Sequence, residues 1–185
     1  MSDLKCHNIH MQIFPRSIVK NFQECRPGQL VRKFEHNGSP LALVAECGND
    51  KDPGLVFLEQ KGISYRSFQH GSDFPVLVFD DELVWTVDHA GAIEPPFREL
   101  YEQQGALVCT RQGWFLNAAR FGSSDRYAGK RYGLSSGDLD FPGHDNYGEI
   151  CAFGSWSLSL QDKNRPETGQ HRIFEFNATS IKSST

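Results

Sequence analysis

Leu30-Val31-Arg32-Lys33-Phe34, then Glu35-His36-Asn37-Gly38-Ser39-Pro40, then Leu41-Ala42-Leu43-Val44-Ala45-Glu46-Cys47: an apolar segment runs into a turn and out again into a longer apolar segment. Both segments have the length of strands rather than helices. Asn37-Gly38 between them is a strong hairpin dipeptide, because both central turn positions need φ > 0 and these two residues tolerate it. The cluster Gly48-Asn49-Asp50-Lys51-Asp52-Pro53-Gly54 closes the second segment.

The same alternation continues along the chain. Leu55–Gln60 and Ile63–Gln69 flank Gly62 as a second hairpin, and Val76–Phe79 and Leu83–Val87 flank Asp80-Asp81-Glu82 as a third. Leu107–Arg111 and Trp114–Ala118 flank Gln112-Gly113 as a fourth. Glu149–Leu160 and Arg172–Asn177 form the last pair across the polar loop Gln161–Gln170. Short connections imply antiparallel pairing, since parallel strands need long crossovers.

Two helices are expected among these strands. One spans Ser17 to Glu24, with Ser17 as N-cap and Pro27-Gly28 beyond its end. The other, the longest, spans Pro96 to Gln104, with Pro96 at its first position, a stripe of Phe97, Leu100 and Tyr101, and Gly105 at its C-terminal cap. The expected class is mainly β: an antiparallel β-barrel or β-sandwich with one or two short helices. A strand-rich α+β sheet with its helices on one face is the alternative. With no repeat and no long linker, residues 1–185 read as a single domain, frayed at 1–10 and 179–185.

Composition agrees with a globular core. Hydrophobic residues are 38%, charged residues 23%, and 14 Phe stand against 2 Met, which excludes a disordered, collagen-like or coiled-coil chain. No apolar run approaches the ~18 residues of a membrane span. Met1–Phe14 holds no apolar h-region, so no secretory signal is read there. Five cysteines, an odd number without a C-x-x-C pair, fit neither a disulfide framework nor a thiolate zinc site. Cys47, Cys109 and Cys151 each sit inside an apolar run as small hydrophobes. Reduced thiols and a cytoplasmic location are therefore expected, and the two N-x-S/T matches at Asn37 and Asn177 carry no meaning for glycosylation.

Four groups of residues could carry chemistry. Asp138, Asp140, Asn146 and Glu149 fall at positions 1, 3, 9 and 12 of a calcium-loop spacing, with Gly143 at position 6. Pro142 at position 5 and Asp145 at position 8 depart from that spacing, and the flanks do not read as paired helices. The plain alternative is a solvated acidic turn. No cofactor is expected from composition, and calcium is the ion this loop would take. His89, His144 and Glu149, with Asp145 nearby, could instead form a two-histidine, one-carboxylate metal cluster in a barrel mouth.

The segment Arg120–Gly133 interleaves bases with aromatics and glycines, and residues 111–133 carry five cations against one acid. Arg120, Arg126, Lys130 and Arg131 could neutralise phosphates while Phe121, Tyr127 and Tyr132 stack on bases. The net charge of −4 and a pI near 6.0 weigh against a nucleic-acid partner. Trp85, Trp114 and Trp156 lie in expected strands, where they could line a ligand cavity or fill the core.

No G-x-S-x-G and no phosphate-binding glycine loop occurs. The leading expectation is thus a non-enzymatic β-domain that binds a small ligand or a protein partner through an aromatic-lined cavity or sheet face. A metal-dependent β-barrel enzyme and a phosphate or nucleic-acid binder through residues 120–133 are the alternatives. No membrane partner is expected.

Overall fold

The computed structural model describes residues 17–47, 52–58, 62–69, 71–89, 104–122, 130–140 and 151–177. Among them are the strands β1 (Ser17–Asn21), β2 (Leu30–Lys33), β3 (Leu41–Glu46), β4 (Pro53–Phe57), β5 (Ser64–Ser67), β6 (Pro75–Phe79) and β7 (Leu83–His89). After these come β8 (Leu107–Thr110), β9 (Gly113–Arg120), β10 (Lys130–Gly133), β11 (Leu139–Asp140), β12 (Cys151–Phe153), β13 (Ser155–Asp162) and β14 (His171–Asn177). The protein is mainly β, as the spacing of its apolar segments predicts. The larger sheet runs β1-β6-β2-β3-β4-β5-β9-β10-β11, with β8 beside β9 and β12 beside β8. The smaller runs β14-β13-β7. Among the described strands no pairing closes either sheet into a barrel, so the sandwich form of the expectation holds. No described helix is long and apolar enough to cross a membrane.

The two sheets share one core. Leu41, Leu43, Leu107, Leu116 and Tyr132 from the larger sheet meet Trp156, Leu158, Leu160 and Phe176 from the smaller. The opposite face of the larger sheet is covered too: Val31, Ala42, Val44, Leu55, Phe57, Val76 and Val78 pack under Phe22. This explains why Leu41–Ala45 is apolar without alternation, because a strand buried on both faces has no polar side to show. Phe22, Phe68 and Phe74 form an aromatic lid over that second cluster, with Phe22 and Phe74 stacked at 4.8 Å.

Four local expectations need correction. Ser17–Glu24 is not a helix: β1 pairs with β6, and only Phe22–Glu24 makes a single 3-10 turn. The β-branched pair Ile18-Val19 favours a strand, and Glu24 Oε2 accepts the Asn21 N–H at 3.3 Å to start the turn after it. The first hairpin turns on His36-Asn37 rather than Asn37-Gly38, since Glu35 and Gly38 exchange backbone hydrogen bonds of 2.9 and 3.3 Å. β6 and β7 do not pair with each other. The Asp80-Asp81-Glu82 turn, held by Glu82 N–H to Asp80 Oδ1 at 3.1 Å, carries the chain from one sheet to the other. Glu149–Leu160 is likewise divided at Gly154, with β12 in the larger sheet and β13 in the smaller. The remaining expected hairpins, β4–β5, β8–β9 and β13–β14, pair antiparallel as read. One junction is parallel, where Ser64 and Tyr65 of β5 meet Ala119 and Arg120 of β9. The expected helix Pro96–Gln104 lies outside the described residues except for Gln104.

Candidate functional site

Directly opposite residues on neighbouring antiparallel strands point to the same face of the sheet. In β12, β8 and β9 this rule lines up Cys151, Cys109 and Trp114 in one row across three strands. The row stands at the rim of the core between the sheets, where Cys109 and Cys151 pack against its edge. Trp114 is 37% exposed. His89, the last residue of β7, reaches the same rim from the smaller sheet. Its ring stacks on Trp114 at 5.1 Å and lies 4.1 Å from Phe153, while Trp114 and Phe153 are 5.6 Å apart. Phe153 is buried beneath the other two. The result is a preassembled platform of two accessible rings on a buried third.

The three tryptophans therefore have different surroundings. Trp156 is a core residue whose indole N–H donates to the Gly105 carbonyl at 2.8 Å. Trp85 is half-buried against the core opposite Leu160. Only Trp114 of the three combines large exposure with ring partners at the rim.

Cys109 and Cys151 are both free and half-buried. Burial pushes the Cys109 thiol above its ordinary pKa, and the neighbouring Cys151 pushes it the same way. The raised pKa holds the Cys109 thiol in its protonated form at neutral pH, so it is not an activated nucleophile there. Sequence reading gave no sign that these two cysteines face each other, because β8 and β12 are joined by no short turn.

The basic segment is split by the fold. Lys130 Nζ donates to the Cys47 carbonyl at 2.7 Å and stands 5.0 Å from the centre of the Tyr65 ring. Arg131 is buried and donates from Nε to Asn117 Oδ1 at 3.2 Å. Arg120 and Phe121 are exposed, and Arg126 lies outside the described residues. The Arg66 guanidinium sits 5.5 Å from the Phe68 ring and 5.9 Å from the Phe121 ring. Cations and aromatics thus do meet near Phe121, though the cation between the rings comes from β5.

Behind Lys130, Tyr132 is fully buried beside Cys47. Its hydroxyl is near enough to steady a Cys47 thiolate, yet no described group completes a well-formed hydrogen bond to it. A buried unsatisfied hydroxyl costs about 1–3 kcal/mol. Tyr132→Phe, which keeps the ring and removes the hydroxyl, is therefore expected to raise stability by about 1 kcal/mol in urea unfolding. A loss of stability of that size would show that the hydroxyl is satisfied.

Of the acidic loop, Asp138 is exposed and its N–H donates to Ser136 Oγ at 3.3 Å. Asp140 pairs through its backbone with Arg131 of β10. Asn146 and Glu149 lie outside the described residues, as do His144 and Asp145. Among the described residues no three His, Cys, Asp or Glu side chains gather in a way that could hold a metal ion. Compared with known proteins, the chain matches no protein-family model, no curated protein and no solved structure.

Proposed function

We propose that this protein is a non-enzymatic binding domain, and that it takes a small ligand with a flat apolar or aromatic face on the Trp114–His89 platform. The observation that carries this reading is the exposed Trp114, held at a fixed angle by His89 stacked against it and Phe153 below. Aromatic side chains offer large contact area at low conformational cost, and they prefer offset or edge contacts with another ring. A platform whose rings already pack on one another loses little freedom on binding. The phosphate-binding alternative has less support, since Lys130 and Arg131 are engaged in the fold. The metal-enzyme alternative draws two of its three ligands, His144 and Glu149, from outside the described residues.

Ligand-observed NMR with a library of aromatic and sugar fragments tests the proposal. Fragments that bind the wild-type protein are expected to lose about tenfold or more in affinity in Trp114→Ala, equivalent to about 1.4 kcal/mol. Trp85→Phe, altered away from the platform, should bind them as before. Fragments that bind Trp114→Ala and wild type equally, or a library in which none binds, would remove the platform as the recognition surface.

A further inference from the structure

We propose that Cys109 and Cys151 form a reversible cross-strand disulfide, making this edge of the larger sheet a thiol-modification site for a small disulfide oxidant such as oxidised glutathione. The two residues are direct register partners in β8 and β12, on the same face. Opposite residues in antiparallel strands have Cα atoms about 4.5 or 5.5 Å apart, according to the hydrogen-bonding of the pair. Both separations fall within the roughly 4.4–6.8 Å that disulfides span. Both side chains are half-buried rather than enclosed, so an oxidant of modest size can reach them. Neither Cys25 nor Cys47 is a register partner of another cysteine; Cys25 follows the 3-10 turn, and Cys47 is buried at the end of β3.

Cβ atoms of opposite residues lie about 4.5–5.5 Å apart, whereas a disulfide wants about 3.8 Å. Closing the bond draws the strands together locally. β12 has only three residues and, among the described strands, pairs with β8 alone, so it can yield. A bond formed under such strain is more easily reduced than an unstrained structural one, which makes it a reversible mark.

The chemistry balances by two exchanges. The thiolate of one cysteine attacks a sulfur of oxidised glutathione; a protein–glutathione disulfide forms and one glutathione leaves as a thiolate. The second cysteine, as thiolate, then attacks the protein sulfur of that mixed disulfide and expels the other glutathione. The protein dithiol has lost two electrons and two protons. The two glutathiones have gained them.

The test incubates the full chain with oxidised glutathione, quenches with acid, and alkylates in denaturant without reductant. The expected result is two fewer alkylatable thiols than the five of the reduced chain. A non-reduced digest should show the peptide of Cys109 joined to that of Cys151, and dithiothreitol should restore all five thiols. In Cys109→Ser and Cys151→Ser, the remaining partner should stop at a lasting glutathione adduct, with a far-UV spectrum like that of wild type. Five reactive thiols after incubation, a cross-link between other cysteines, or lasting glutathione adducts on Cys109 or Cys151 in the wild-type chain would each overturn the proposal.

Discussion

Gly105→Ala is expected to lower the unfolding free energy by about 3–4 kcal/mol, which for a chain of this size lowers Tm by roughly 10 °C. Gly105 is where the two sheets are fastened together. Its N–H donates to the Asn117 carbonyl in β9 at 2.9 Å, and its carbonyl accepts the indole N–H of Trp156 in β13 at 2.8 Å. Its φ is +84°, a conformation that costs an alanine about 1–2 kcal/mol. An added Cβ would also stand only 2.1 Å from Cζ of Phe176. Phe176 is buried and packs on Trp156 with ring centres 6.0 Å apart, so moving it disturbs the shared core. Overpacking of this kind costs about 1–3 kcal/mol. Gly122→Ala separates the two contributions, because Gly122 has φ +79° with nothing within 4 Å of its added Cβ. That variant should lose only the conformational share. Equal losses from both variants, measured by urea unfolding, would mean that Phe176 moves aside freely and that the fastening is loose.

Alkaline pH should weaken the fold by about 2 kcal/mol between pH 9 and pH 11 through Cys47 alone. The Cys47 thiol is buried, and burial raises its pKa from near 9 to about 11; the Tyr132 hydroxyl and the Lys130 ammonium act in the lowering direction but do not cancel that effect. Over this interval the unfolded chain releases the thiol proton ahead of the folded chain, which holds it until pH approaches 11. The unfolded state then binds fewer protons, so stability falls as pH rises, at up to about 1.4 kcal/mol per pH unit. Below about pH 8 both states are protonated and Cys47 contributes almost no slope. Burial also pushes Tyr132 far above the usual phenol range, with the neighbouring Cys47 acting in the same direction, which extends the loss above pH 10. Denaturant unfolding from pH 8 to pH 11 measures the slope. Cys47→Ala is less stable at pH 8 because of the cavity it leaves, but its stability should fall by about 2 kcal/mol less over the interval. An unchanged slope in that variant would place the alkaline sensitivity elsewhere.

Strand positions are readable in this sequence, while strand partners are less so. Turn dipeptides and short apolar runs bring out β2, β3, β4, β6, β8 and β9 to within a few residues. A tight turn after an apolar run does not say whether the next strand stays in the same sheet, and Asp80-Asp81-Glu82 leads away from it. At Ser17–Glu24 the cap-like Ser17 suggests a helix, but pairing with β6, which follows β2 to β5 in the chain, decides for a strand, a tertiary effect that outweighs the local cap signal. The site follows the same division. Trp114 is a visible candidate beside Trp85 and Trp156, yet only the fold distinguishes the exposed ring from the core ones. Cys109 and Cys151 meet only because β8 and β12 pair over a distant connection.

The smaller sheet also imposes an order on synthesis. β7 leaves the ribosome among the strands of the larger sheet, but its partner β13 follows much later, with Leu83 waiting for Asp162 and His89 for Trp156. At about 5–20 residues per second, the nascent chain spends several seconds with β7 unpaired. The core face of the larger sheet, with Leu41, Leu43 and Leu116, stays without Trp156, Leu158, Leu160 and Phe176 for that time. An uncovered apolar sheet face and an unpaired strand are the features that draw chaperones or lead to aggregation. The interval before Ser155–Asn177 emerges is thus the stage of this chain's life at which it most needs protection.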